Sequence, residues 1–250
     1  MKHYFLGLML SFFPFVWVTA EEIKYPHVYL ASKQLVVVIT EQWTSSSGVL
    51  QRYFREDEGE NWHPVNEAIN VVVGKNGLGW GRGLHEKQED IDSVGPIKQE
   101  GDQRAPAGIF SLTHAFGYAP NAFSQKLFYI PLTPHIECVD DSHSAYYNQI
   151  LDRSLVDQPD WKSSERMLNE ALYQWGVVIN HNKDQVLPGA GSCLFMHRWK
   201  APNSPTAGCT AMAEEDLKQV INWIDNTYSP ILVQLPKAEY ERLRAMWKLP

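Results

Sequence analysis

The chain has 250 residues, with 22 Lys and Arg against 29 Asp and Glu, for a formal net charge of −7. An acidic chain without a basic stripe argues against nucleic acid as a partner. No internal repeat, low-complexity segment or long Ser/Gly/Pro linker divides it, which favours one domain with an insertion.

The first twenty residues, "MKHYFLGLMLSFFPFVWVTA", have a basic start at Lys2, an apolar run from Tyr4 to Val18, and a small residue at Ala20. This pattern predicts a secretory signal peptide over residues 1–20, with residues 21–250 as the mature domain. The rival reading is a retained membrane anchor, but the run is short for a bilayer span of about 20 residues. Removing Lys2 with the signal moves the net charge to 21 − 29 = −8. No later stretch is apolar enough to span. Nine Trp and eleven Tyr in the whole chain fit a large core with an aromatic substrate groove, or a large core alone.

Short β-branched or aromatic runs bounded by turn residues follow in order. They are Gln34–Thr40, Ile69–Gly74, Gly108–Leu112, Lys126–Leu132, Gly176–Asn180, Ser192–His197 and Ile231–Leu235. Together they predict a mainly β domain. Between the second and third runs, "GLGWGRG" (Gly77–Gly83) has the glycines of a nucleotide loop but no helix pattern after it, and reads as a turn-rich loop. Cys138–Trp161 shows no periodicity, and residues 138–175 as a whole are expected to form a lid or insertion. Within them, Met167, Leu168, Ala171, Leu172 and Trp175 recur at helical spacing and predict a helix over Ser164–Trp175. Leu217, Val220, Ile221 and Ile224 predict a second helix from Ala213 to Asn226, with Glu214, Glu215 and Asp216 in its first turn. A terminal helix is expected over Ala238–Trp247.

Three cysteines in an exported monomer leave at least one unpaired. Cys138 and Cys193 can pair, leaving Cys209 as the free thiol, or stay reduced; their proximity decides. Cys209 follows Gly208 and leads towards the Ala213 helix, whose unpaired N–H groups favour a thiolate and can hold an oxyanion. Glu214 and Glu215 oppose that effect. His197 ends the Ser192–His197 strand, on the same face as Cys193 and Phe195. A strand-end imidazole beside such a cysteine can take the thiol proton and return it to a leaving amine. The bland alternative is a buried structural cysteine. A third reading gathers His181, Cys193, His197 and Cys209 around zinc, although their spacing fits no tight zinc motif; neither metal nor cofactor is expected.

"GSCLFMH" (Gly191–His197) followed by "TAGCTAM" (Thr206–Met212) resembles the YkuD-type L,D-transpeptidase catalytic domain, in its branch with a TAGC motif. Upstream, "VVVGKNG" (Val71–Gly77) and "EGDQRAPAGIFSL" (Glu100–Leu112) are similar to the same family's strands and Thr-Pro turn. Alanine stands at 207 and 211, where many members have His and Arg, and Ala105 replaces the turn threonine. The resemblance implies a YkuD-like β-sandwich with a helical insertion and a C-terminal helix. It implies Cys209 as nucleophile, His197 as base, and the N–H groups of Gly208, Cys209 and Thr210 as oxyanion donors. The Arg198 carbonyl would orient His197, and Ser192 and His181 are candidate pocket residues. The implied activity is formation of 3–3 cross-links between peptidoglycan stem peptides in a bacterial periplasm or envelope, through a thioester. Carboxypeptidase or amide-hydrolase action by the same pair, and a non-catalytic wall-binding protein, are the alternatives.

Overall fold

The computed structural model describes residues 31–85, 94–122 and 126–250; the expected signal peptide at 1–20 lies outside them. The strands are β1 (Gln34–Thr40), β2 (Ser47–Phe54), β3 (His63–Val72), β4 (Leu78–Trp80), β5 (Ala105–Ser111), β6 (His114–Gly117) and β7 (Phe128–Pro131). They continue as β8 (Ile136–Val139), β9 (Ile150–Asp152), β10 (Ser164–Arg166), β11 (Trp175–Val178), β12 (Phe195–Arg198), β13 (Thr210–Met212) and β14 (Ile231–Pro236). Helix α1 spans Glu214–Trp223 and the C-terminal α2 spans Lys237–Leu243.

Continuous apolar runs make the most buried pair of strands in the sheet. β1 and β14 are buried almost throughout and pair in parallel from Leu35↔Ile231 onwards, as expected for strands covered on both faces. Around them the strands order β4-β5-β14-β1-β2-β3-β13-β12-β11-β6-β7 in one curled sheet, and β10-β8-β9 form a separate small sheet. The domain is mainly β, consistent with the YkuD-like sandwich and the C-terminal helix.

The strands that hold the Cys and His motifs have two unlike faces. Val177, Met196 and Met212 point into the main core, where Leu217, Val220 and Ile221 of α1 meet them. Their alternate neighbours Val178 and Phe195 point the other way, into a smaller cluster with Phe116, Cys138, Tyr173, Cys193 and Cys209. Helix α1 thus braces the back of β11, β12 and β13 while the site opens at the front.

Several expectations are corrected. Ser164–Trp175 is not an α-helix: β10 pairs with β8, two 3-10 turns follow at Met167–Asn169 and Ala171–Gln174, and Glu170 between them is extended (φ −91°, ψ 102°). Only Met167 and Tyr173 of those turns are buried, so the helical spacing is a coincidence of turn geometry. The strand expected from Ser192 begins at Phe195, because Cys193 is left-handed (φ 54°) where a disulfide ties it to Cys138. Part of the glycine loop at 77–83 is strand β4. Strand β2 went unread because its inward side chains are Leu50 and the buried Arg52, whose Nη1 donates to Gln219 O at 3.2 Å.

Candidate active site

Cys209 and His197 line one cleft of about 700 Å³. Parallel pairing sets Met196 beside Thr210 and His197 beside Ala211, so the residues just before β13 and at the end of β12 come to the same mouth. Thr206 builds the turn before the cysteine: its Oγ1 accepts from Gly208 N–H at 3.1 Å and donates to Cys209 O at 2.6 Å. The backbone of the "VVVGKNG" segment clamps this turn, through Thr206 N to Val73 O (3.0 Å) and Lys75 N to Thr206 O (2.9 Å). Gly208 has no left-handed φ; it is small because a β-carbon there would stand 3.0 Å from Leu194 and 3.2 Å from Arg104 O.

His197 is buried, and its Nδ1 lies 2.7 Å from Arg198 O. A carbonyl only accepts, so Nδ1 carries the proton and Nε2 holds the lone pair. Burial lowers the imidazole pKa, which keeps this neutral, basic form at pH 7. Tyr173 packs edge-on against the ring, with centroids 5.3 Å apart. The Arg198 guanidinium is turned away and donates to Ala171 O at 2.9 Å.

The Cys209 thiol donates to Cys193 O at 3.8 Å and is not hydrogen-bonded to His197 in this resting arrangement. Its pKa is pushed up to about 12, first by burial and then by the Glu165 carboxylate; the Phe195 N–H, the Tyr173 hydroxyl and Lys98 pull it down. This reverses the expectation of a helix-stabilised thiolate. The three residues of β13 separate Cys209 from the start of α1 by about 10 Å, too far for the N-terminal N–H groups to act. Of the expected oxyanion donors, Gly208 N–H is taken by Thr206 Oγ1, and Thr210 sits in the ladder opposite Met196 with its hydroxyl on Gln234 (2.7 Å). The Cys209 N–H is the donor that remains.

Ser192 lines the cleft and donates to Glu100 Oε2 at 2.7 Å; the Tyr147 hydroxyl donates to the same oxygen. Glu100 belongs to the "EGDQRAPAGIF" segment, which therefore supplies a wall of the cleft. His181 does not line it. Its Nδ1 accepts from Arg82 N–H (3.2 Å) and its Nε2 contacts Ala190 O (2.9 Å), so both nitrogens serve the fold. With His181 so engaged and Cys193 in a disulfide, the four-residue zinc set is not assembled. A separate cavity of about 510 Å³ beside Arg82, His114, Asn180 and Lys183 contains neither Cys209 nor His197.

The structure adds residues that sequence reasoning missed. Glu165 and Tyr173 line the cleft, and the Tyr173 hydroxyl donates to Glu165 Oε2 at 2.7 Å. The small sheet puts Glu165 there by pairing it with Cys138, and the Cys138–Cys193 disulfide (Cα–Cα 5.9 Å) anchors that sheet to the strand leading to His197. The one sequence signal was the even pairing left once Cys209 is set aside.

The parallel β12–β13 pair brings a neutral imidazole and a free thiol to one cleft. A family model for the YkuD L,D-transpeptidase catalytic domain matches residues 32–233, and the chain belongs to that family, whose members act on peptidoglycan. No curated protein and no solved structure matches the chain. Among the described residues no helix is long and apolar enough to cross a membrane.

Proposed function

We propose that the protein is an L,D-transpeptidase of the bacterial periplasm that forms 3–3 cross-links between peptidoglycan stem peptides through a thioester on Cys209. The observation that carries this reading is the fixed tautomer of His197: Nδ1–H is held by Arg198 O, leaving Nε2 as the basic atom in the cleft that Cys209 lines. The signal-like residues 1–20 support export to the envelope.

At rest the buried thiol is protonated. As the donor's carbonyl approaches, the thiol proton passes to His197 Nε2 and the sulfur attacks the carbonyl carbon. The Cys209 N–H faces the oxyanion of the tetrahedral intermediate. Collapse breaks the C–N bond to the terminal D-alanine, whose nitrogen takes the proton back from the imidazolium. An amine of a second stem then repeats the sequence in reverse and forms the cross-link; water in its place gives carboxypeptidase action by the same residues.

Intact mass after incubation with tetrapeptide muropeptides tests the reading. A covalent adduct on the parent, lost in Cys209→Ala, together with dimeric products, is expected. Tripeptides alone indicate hydrolysis. No adduct and no D-alanine release, with sacculus binding retained by Cys209→Ala, indicates a wall-binding protein.

A further inference from the structure

Glu165 lines the cleft beside the nucleophile, and its Oε2 accepts from Tyr173. Among the described residues it has no ion-pair partner. Lys98, the cation that acts on Cys209, is committed to Asp102 at 2.5 Å, and Arg166 and Lys200 stand exposed at the rim. The charged groups that act on Glu165 are all acids: Asp140 from the end of β8, Glu170 from between the 3-10 turns, and Glu100 from the opposite wall. With burial they raise its pKa to about 7.

A carboxylate held among acids in a partly dry site lacks the cation that would repay its desolvation. The same carboxylate opposes ionisation of Cys209. Both costs fall if a cation enters beside Glu165 during turnover. Among the described residues no group of three His, Cys, Asp or Glu side chains converges to hold a metal, and a carboxylate with a phenol beside it suits a primary ammonium.

We propose that Glu165 is the receptor for a primary ammonium group on the acyl donor, and that its arrival releases Cys209 to ionise. The proposal rests on the transpeptidase reading. Tyr173 fixes the carboxylate through its hydroxyl and fills the space between Glu165 and the His197 ring. Proton balance is unchanged: the thiol proton goes to His197 Nε2, and the ammonium keeps its own. A donor without the ammonium leaves the carboxylate uncompensated and acylates more slowly.

Two measurements test this. In the first, iodoacetamide alkylation of Cys209 is followed by intact mass across pH in the parent and Glu165→Gln; the other two cysteines are bonded to each other. The variant's profile is expected to move to lower pH by about one unit, with about tenfold faster alkylation at a given pH between about 7, above which Glu165 is ionised, and the thiol pKa. An unchanged profile overturns the coupling. In the second, two tetrapeptide muropeptides are compared as donors, with the side-chain ammonium free or N-acetylated. The parent is expected to favour the free amine by on the order of tenfold in acylation rate. Glu165→Gln should lose that preference and Glu165→Asp, which keeps the charge, should retain part of it. Equal acylation of the parent by both donors overturns the ammonium proposal alone. Acylation by neither overturns the transpeptidase reading and this proposal with it.

Discussion

Reduction of the Cys138–Cys193 disulfide is expected to weaken the fold and loosen the setting of Cys209 together. The bond closes a sequence separation of 55 residues, and for a loop of that length the chain-entropy relation gives about 4 kcal/mol. A domain of this size loses about 2–4 °C per kcal/mol, so the midpoint should fall by roughly 8–16 °C. The local effect follows from what the bond joins. Cys138 lies on β8 opposite Glu165, while the Cys193 carbonyl accepts the Cys209 thiol. Strand β8 also carries the buried Glu137, held by Trp161 Nε1 at 3.1 Å and Arg153 Nη1 at 3.2 Å, so freeing it disturbs a wider polar network. The assay is scanning calorimetry with and without reductant, alongside a thiol titration under denaturing conditions that should rise from one thiol to three. The Cys138→Ser/Cys193→Ser double variant should behave like the reduced protein. A midpoint within about 2 °C of the oxidised protein, with three thiols titrating, would refute the reasoning.

Two other outcomes follow. Burial lowers the pKa of His181 to about 3 and that of His85 to about 4, below the value of 6.5 in the unfolded chain. The unfolded state therefore takes these protons first, and stability is lost as pH falls below about 6.5; at pH 5 His181 alone contributes about 2 kcal/mol of that loss. Thermal midpoints that stay level between pH 7 and pH 5 would exclude this. Gly176→Ala places a β-carbon 2.1 Å from the Phe116 ring, opposite its register partner on β6. Phe116 packs on Phe195 and Tyr173 (5.1 and 5.6 Å), so overpacking should cost about 1–3 kcal/mol in urea unfolding and lower the acylation rate. Combination with Phe116→Ala should be less than additive; full additivity contradicts a steric origin.

Where local pattern and long-range packing agreed, the sequence alone was sufficient. The valine-rich run at Gln34–Thr40 and its partner at Ile231–Leu235 read as strands because both faces are apolar, and they form a buried parallel pair in the sheet. The stripe Leu217, Val220 and Ile221 read as a helix face because it is one, set against β11 to β13. The spacing of His197 and Cys209 was weak evidence by itself; the resemblance of the Gly191–His197 and Thr206–Met212 motifs singled them out, and both line one cleft.

Tertiary structure decided what had no period of its own. The Ser164–Trp175 segment has helical spacing, yet pairing with β8 and burial of Met167 and Tyr173 draw it into a strand and two turns. That draws Glu165 and Tyr173 into the cleft beside Cys209, which no local signal contains. The protonation states are decided the same way. His197 is neutral with its lone pair on Nε2 because burial lowers its pKa and a neighbouring carbonyl fixes its tautomer, and Cys209 is a thiol at rest because burial and a carboxylate from a distant strand outweigh its nearby donors. Side-chain identity set which groups can react. Their surroundings, assembled from segments far apart in the chain, set their charge.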